Sequence, residues 1–369
     1  MRSRRKSRKS RAGNGSAFSF NHGVMNHWEK EHNRENNKVH RVVIFANTVW
    51  GVPSVLIKGT LAAISRRADF DLVAVCLPER PSTLKIYIYS MLYASVINLR
   101  SFINPAIKRK HRSLHPLPVY RLARKYHFEL IIPPLGSIND PVFIAYLRDK
   151  IRPTIALSFY CLRKFSPVLL AIFQYAVNYH NSFLPKNRGR NATSWSLYQG
   201  DPCSGFTFHY MTAEWDAGRI LAQENLPVKP DDHLSDLEIE KATQAAGYIP
   251  RILQMVSEGG DGESQKGAGS YHSWKDCLSI SAIADPSSLS KMELMKRLKS
   301  FEKLDIQFSG RWYEVTGIRE VKKKAESKEK FTFMTSDGFL MKAVHFLYLP
   351  YGLYWIYRHI KHFIMTPDK

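Results

Sequence analysis

Cysteine is scarce in this chain of 369 residues: four stand at 76, 161, 203 and 277, and none belongs to a Cys-x-x-Cys pair. That excludes a disulfide framework and a cysteine-built zinc site, and fits a reducing compartment. Also lacking is an unbroken apolar run of about 18–20 residues, the length that crosses a bilayer. Ile86–Leu99 is too short, and Ala343–Ile360 is interrupted by His345, Pro350 and Arg358. The opening MRSRRKSRKSR has no apolar stretch behind it, so no secretory leader is expected. No Gly-x-Gly-x-x-Gly follows the first apolar run and no Gly-x4-Gly-Lys-Ser/Thr occurs, so neither a dinucleotide site nor a nucleotide triphosphatase is supported. Acid is outnumbered: 54 Lys and Arg face 32 Asp and Glu, leaving a net charge of +22.

The excess is spread unevenly. Residues 1–41 carry eleven Lys or Arg against three Glu, and the first 28 residues hold no acid at all. Like charges repel, and Arg, Ser, Gly and Asn cannot build a core, so residues 1–40 are expected to be a disordered basic tail. Solvating tail, nucleic-acid arm, anionic-membrane contact and organelle transit peptide all remain open for it. His22, His27 and His32, five residues apart, match no helical metal site. Elsewhere the chain has material for a core, since 44% of all residues are hydrophobic and 12% aromatic. The expected compartment is the cytoplasm, or an organelle if the tail is a transit peptide.

Order is expected from Arg41. Short apolar runs at Val42–Phe45, Leu72–Cys76, Leu130–Ile132, Thr154–Phe159 and Ala176–Tyr179 read as buried strands. Helical patterns at Val55–Ile64, Pro141–Arg152 and Pro167–Phe173 lie between them, and Lys108–Arg112 reads as an exposed basic loop. Strands alternating with helices predict an α/β fold, a Rossmann-like, mostly parallel sheet whose ligands bind beyond the carboxyl ends of its strands. Gly205–Tyr210 and Ile220–Val228 add strands, and Asp232–Ser257 a long helix containing Pro250. The division expected is a catalytic domain over 41–256, a Gly/Ser-rich flexible linker over 257–272 and a small basic domain over 273–369. In that last part Ser288–Phe301 reads as a helix, and Trp312–Gly317, Phe331–Thr335 and Phe339–Ala343 as strands. The aromatic end Phe346–Phe363 suits either a helix packed on this domain or contact with a membrane surface.

The chemistry-bearing stretch is 176–221. Asn178 and His180 sit two apart at the end of a buried strand, so both side chains point to one side. A Pro/Gly/Asn-rich loop follows, and Asp216 stands in a Trp-Asp-Ala-Gly turn. Singly, a buried His is most often a hydrogen-bonded core residue and an Asp in a turn most often a cap. Trp195–Tyr198 reads as core helix, and His209 either lines a cleft or packs.

Together these elements carry a resemblance. Asn178-Tyr179-His180, Ser182-Phe183-Leu184-Pro185, Arg188-Gly189 and Asp216-Ala217-Gly218 occur in the order and at the spacing of the N10-formyltetrahydrofolate-dependent formyltransferases. The likeness covers roughly residues 40–250, strongest over 176–221, with Ala46-Asn47-Thr48 replacing the family's usual Gly-Thr-Pro. It implies that Asn178, His180 and Asp216 fall on the catalytic positions. It also implies that the backbone around Phe159, Tyr160, Cys161 and Leu162 borders the folate, and that Ser182, Leu184, Pro185, Arg188 and Gly189 belong to the substrate loop. The implied co-substrate is 10-formyltetrahydrofolate, with no metal. The reaction needs donors to an oxyanion, which Asn178 and a protonated His180 offer, and a group that shuttles protons near neutrality, which His180 offers. Three acceptor amines remain: methionyl-tRNA, favoured by the positive charge, a nucleotide-linked amino sugar, and an aminoacyl group on a carrier. The loop Asn191-Ala192-Thr193-Ser194-Trp195 speaks for the biosynthetic members. Hydrolysis of formyltetrahydrofolate and a catalytically silent RNA- or membrane-binding protein are the further alternatives.

Overall fold

The computed structural model describes residues 39–49, 51–78, 119–134, 137–321 and 331–348. The tail up to residue 38, Ile86–Leu99, Lys108–Arg112 and everything from 349 onward lie outside the described residues. Among the described residues no helix is long and apolar enough to cross a membrane.

A seven-stranded sheet runs in the order β3-β2-β1-β4-β5-β7-β8. Its strands are β1 (His40–Ala46), β2 (Phe70–Cys76), β3 (Glu129–Ile131), β4 (Ile155–Phe159), β5 (Tyr175–His180), β7 (Cys203–Tyr210) and β8 (Ile220–Pro227). The first five are mutually parallel; β7 runs antiparallel to β5, and β8 antiparallel to β7. The VVIF run of β1 is wholly buried because helices cover both faces of the sheet. On one face pack α1 (Gly51–Ile64) and α6 (Leu234–Ser257). They approach closely at Gly59, where an added Cβ would come within 2.9 Å of Ala246 Cβ. The other face carries α3 (Pro141–Tyr146) with the turn that continues it to Ile151, and α4 (Pro167–Leu170). The chain builds β1, β2 and β3 outward on one side, then returns to β4 on the other side of β1. α2 (Val119–Tyr126), only 8 residues with one buried side chain, has no counterpart among the expected helices.

A second sheet has the order β10-β11-β12-β14-β13, built from Ala282–Ile283, Leu304–Phe308, Arg311–Glu320, Leu340–Tyr348 and Thr332–Met334 respectively. Its core is Ile283, Leu294, Leu304, Ile306, Val315 and Met341 with their neighbours. Residues 343–348 of the run Ala343–Ile360 thus belong to β14. α8 (Lys291–Phe301) joins this sheet to α5 (Ala192–Gln199), with Tyr198 Oη donating to Glu293 Oε1 at 2.7 Å. α7 (Trp274–Ser281) opens with a capping box in which Ser273 and Asp276 bond reciprocally to each other's backbone N–H.

Residues 257–272, expected as a flexible linker, are threaded into hydrogen bonds. Glu263 and Ile220 exchange backbone bonds at 2.7 Å, and Arg219 Nη2 donates to the Gly262 carbonyl at 2.7 Å. β9 (Tyr271–His272) pairs in parallel with β6 (Arg188–Gly189). Composition misses this because a Gly/Ser-rich segment has almost no side chain to bury, while its backbone groups can still pair.

Candidate active site

At the carboxyl end of β5 the strand alternation divides the side chains. Val177 and Tyr179 enter the core on the α6 face, whereas Asn178 and His180 emerge on the opposite side. β7 runs antiparallel beside them, with His209 directly opposite Asn178. The chain then turns back, and Asp216 comes up in the left-handed region with φ +52. The turn is tight at Gly218, where a Cβ would stand 1.7 Å from the Tyr210 carbonyl oxygen.

These four side chains meet. His180 Nδ1 is 3.4 Å from Asp216 Oδ2 and His209 Nε2 is 3.5 Å from Asp216 Oδ1. Asn178 Nδ2 stands 3.1 Å from His209 Nε2 and donates to Asp216 Oδ1 at 3.3 Å. The Gly189 N–H donates to Asp216 Oδ2 at 2.8 Å. Two carbonyls set the imidazole tautomers, because a carbonyl only accepts. His180 Nε2 lies 2.9 Å from the Asn187 carbonyl and His209 Nδ1 lies 2.7 Å from the Tyr210 carbonyl, so those nitrogens carry the hydrogens. Neutral His180 therefore presents a bare Nδ1 beside Asp216, and neutral His209 accepts one amide hydrogen of Asn178 at Nε2.

Burial pushes the His180 pKa below its ordinary value, with the Asp216 charge acting against it. Burial alone would raise the Asp216 carboxyl, but the protonated forms of His180 and His209, with the Gly189 N–H, outweigh it and hold the group well below the usual carboxylate range. The resting site is a neutral His180 beside an ionised Asp216. A proton arriving at His180 Nδ1 would form an ion pair in place.

The quartet opens onto a cleft of about 620 Å³. Tyr160, Cys161, Leu162 and Gly189 also line it. Phe159 does not; it is 1% exposed, in the core beneath. Ser182, Leu184, Pro185 and Arg188 stand outside the lining as well, and shape the loop from behind. Ser182 Oγ donates to the Lys186 carbonyl at 2.6 Å, Leu184 is buried, and Pro185 accepts from the Ser270 N–H at 3.2 Å. Arg188 Nε donates to the Trp215 carbonyl at 3.2 Å. Asn47, from the segment Ala46-Asn47-Thr48, accepts the Leu162 N–H on Oδ1 at 3.1 Å and so fixes the loop after β4. Trp195 of α5 is buried and stacks on His272 at 3.9 Å. Gln265 carried no signal in the sequence, yet its Nε2 donates to the carbonyls of Asp216 at 2.8 Å and Gly218 at 2.9 Å. Among the described residues no group of His, Cys, Asp and Glu is arranged to hold a metal ion.

Residues 144–253, which contain all four side chains, match the formyl transferase family. The chain carries a formyl transferase domain. A relative is the GDP-perosamine N-formyltransferase of Brucella melitensis, 31% identical over 111 residues, 30% of this chain and 42% of the relative. The chain thus spans less than half the length of that curated relative. Solved structures share the fold of the domain and its surroundings. One is a sugar N-formyltransferase from a Shewanella species, at TM-score 0.51 and 14% identity, covering 73% of this chain and 93% of that one. Another is an N-formyltransferase from Helicobacter canadensis in complex with folinic acid and dTDP-3-aminofucose, at TM-score 0.50 and 15% identity, covering 83% of this chain and 98% of that one. The match begins within α3 and ends within α6, so it covers the site and not the second sheet.

Proposed function

We propose that the protein is an N-formyltransferase that moves the formyl group of 10-formyltetrahydrofolate onto the primary amine of a nucleotide-linked amino sugar. The observation that carries this reading is the convergence of Asn178, His180 and Asp216 on one cleft inside the formyl transferase domain. The amino-sugar acceptor rests on the relatives, whose names are those of sugar N-formyltransferases. The positive charge suits a diphosphate-bearing acceptor and a polyglutamyl folate as well as it suits tRNA, so it does not single out methionyl-tRNA.

The neutral amine attacks the formyl carbon, and the carbonyl oxygen takes up negative charge. Asn178 turns an amide hydrogen from Asp216 or His209 toward that oxygen, a contribution of about 10²–10³ in rate. His180 Nδ1 receives the proton that the amine nitrogen loses, and Asp216 stabilises the resulting imidazolium at 3.4 Å. The bond from the formyl carbon to N10 then breaks, and His180 returns the proton to N10, directly or through water. Folate lies against the loop of Tyr160, Cys161 and Leu162, whose path Asn47 and Arg190 hold at the backbone of Leu162.

The test is an acceptor screen with 10-formyltetrahydrofolate and the purified full chain. Amide product on a nucleotide-linked amino sugar is expected. Product on methionyl-tRNA alone would overturn the acceptor, and formate release without any amine would make the protein a hydrolase.

A further inference from the structure

Across the end of β5 from the catalytic quartet, the same cleft is lined by Tyr160, Asn181 and Glu238. Asn181 follows His180 directly but belongs to the other side of the strand alternation, and Glu238 comes from α6. The three form a closed hydrogen-bond circuit. Tyr160 Oη donates to Glu238 Oε1 at 2.6 Å. Asn181 Nδ2 donates one hydrogen to Tyr160 Oη at 2.9 Å and the other to Glu238 Oε1 at 3.1 Å. Tyr179 Oη donates to Asn181 Oδ1 at 3.0 Å, and the buried Lys241 Nζ donates to the Asn181 carbonyl at 2.9 Å.

Counting hydrogens decides what this corner can bind. A phenol has one, and both phenols use theirs inside the circuit; an amide nitrogen has two, and both of Asn181's are engaged. What faces the cleft unengaged is a single acceptor, Glu238 Oε2. A phosphate, carboxylate or carbonyl brought here would meet that acceptor and be repelled. A hydroxyl or N–H would find an acceptor already oriented through Oε1.

We propose that Glu238 is a specificity residue for the acceptor, taking a hydrogen bond from a sugar hydroxyl. This rests on the amino-sugar reading above. The acceptor is assigned to this corner because Asn181 follows His180 directly, and the proton that His180 receives comes from the acceptor's amine; Tyr160 also belongs to the loop proposed for folate, so folate binding is measured beside it. The nucleotide diphosphate is directed away from Glu238, which leaves the sugar at the strand end, one residue from His180.

The experiment is equilibrium binding to the full chain, wild type and Glu238→Gln, with three probes: a dTDP- or GDP-linked amino sugar, the same compound lacking one sugar hydroxyl, and 5-formyltetrahydrofolate. With Tyr160 still donating to Oε1, Gln places an NH2 where the open acceptor stood. The sugar nucleotide should bind about tenfold or more weakly to the variant, and folate within about twofold. For one deoxy compound the variant and wild type should bind alike, the signature of a coupled pair. Glu238→Asp, which keeps the acceptor, should recover part of the loss, and circular dichroism of both variants checks folding. Unchanged sugar binding in Glu238→Gln, or a loss confined to folate, overturns the proposal. Wild type that binds folate and no amino-sugar nucleotide overturns the acceptor reading itself, a distinguishable failure.

Discussion

Gln265 Nε2 donates to the Asp216 carbonyl at 2.8 Å across 49 residues of sequence, and to the Gly218 carbonyl at 2.9 Å. Asp216 holds a left-handed backbone that an ordinary residue adopts at some cost, so the turn needs support from outside itself. Gln265→Ala removes both bonds. Under the proposed mechanism kcat should fall about tenfold with either KM little changed, and stability by about 1–2 kcal/mol. An unaltered kcat in a destabilised variant would reduce Gln265 to a structural role.

His180→Ala and Asn178→Ala test the centre of the site. Each should lower kcat/KM by about 10²–10³ or more while the thermal transition stays cooperative. Near-normal turnover in either purified variant would remove that residue from the mechanism.

The pH dependence has a definite sign. His180 is held below its ordinary pKa of 6.5, so the base form fills the neutral range and kcat/KM should fall only as pH drops below 6.5. The same shift links to stability. The unfolded chain protonates this histidine at a higher pH than the folded chain does, so stability declines as pH falls below 6.5. Asp216, also depressed, adds a second decline below 3.8. Urea midpoints against pH should show the first decline in wild type and lose it in His180→Gln; a curve shared by both proteins would contradict it.

Gly189 ties the loop to the strap behind it. Its φ is +88, and a Cβ there would lie 2.4 Å from the His272 carbonyl oxygen. Gly189→Ala should break the β6–β9 pairing, displace the N–H that holds Asp216, and cost more than about 1 kcal/mol in stability together with most of the activity. A variant with full activity and an unchanged melting temperature would show that the pairing does not support the site.

The parts of this protein that its sequence determined are those governed by neighbours along the chain. Apolar runs such as Val42–Phe45 and Leu72–Cys76 read as buried strands, and in a strand the alternation Asn178-Tyr179-His180 places two polar groups on one side. Asn-x-His with the Asp-x-Gly turn marked the candidate site for the same reason. Tertiary structure alone decided that His209 faces Asn178, because that follows from antiparallel register. It alone turned Ser182, Leu184, Pro185 and Arg188 to the back of the loop, brought Gln265 out of a Gly/Ser-rich stretch to the Asp216 turn, and set Glu238 beside Tyr160 78 residues away. Burial preference is written into local composition. The partner of a hydrogen-bonding group is chosen only when packing has fixed which distant atoms lie within 3 Å or so of it.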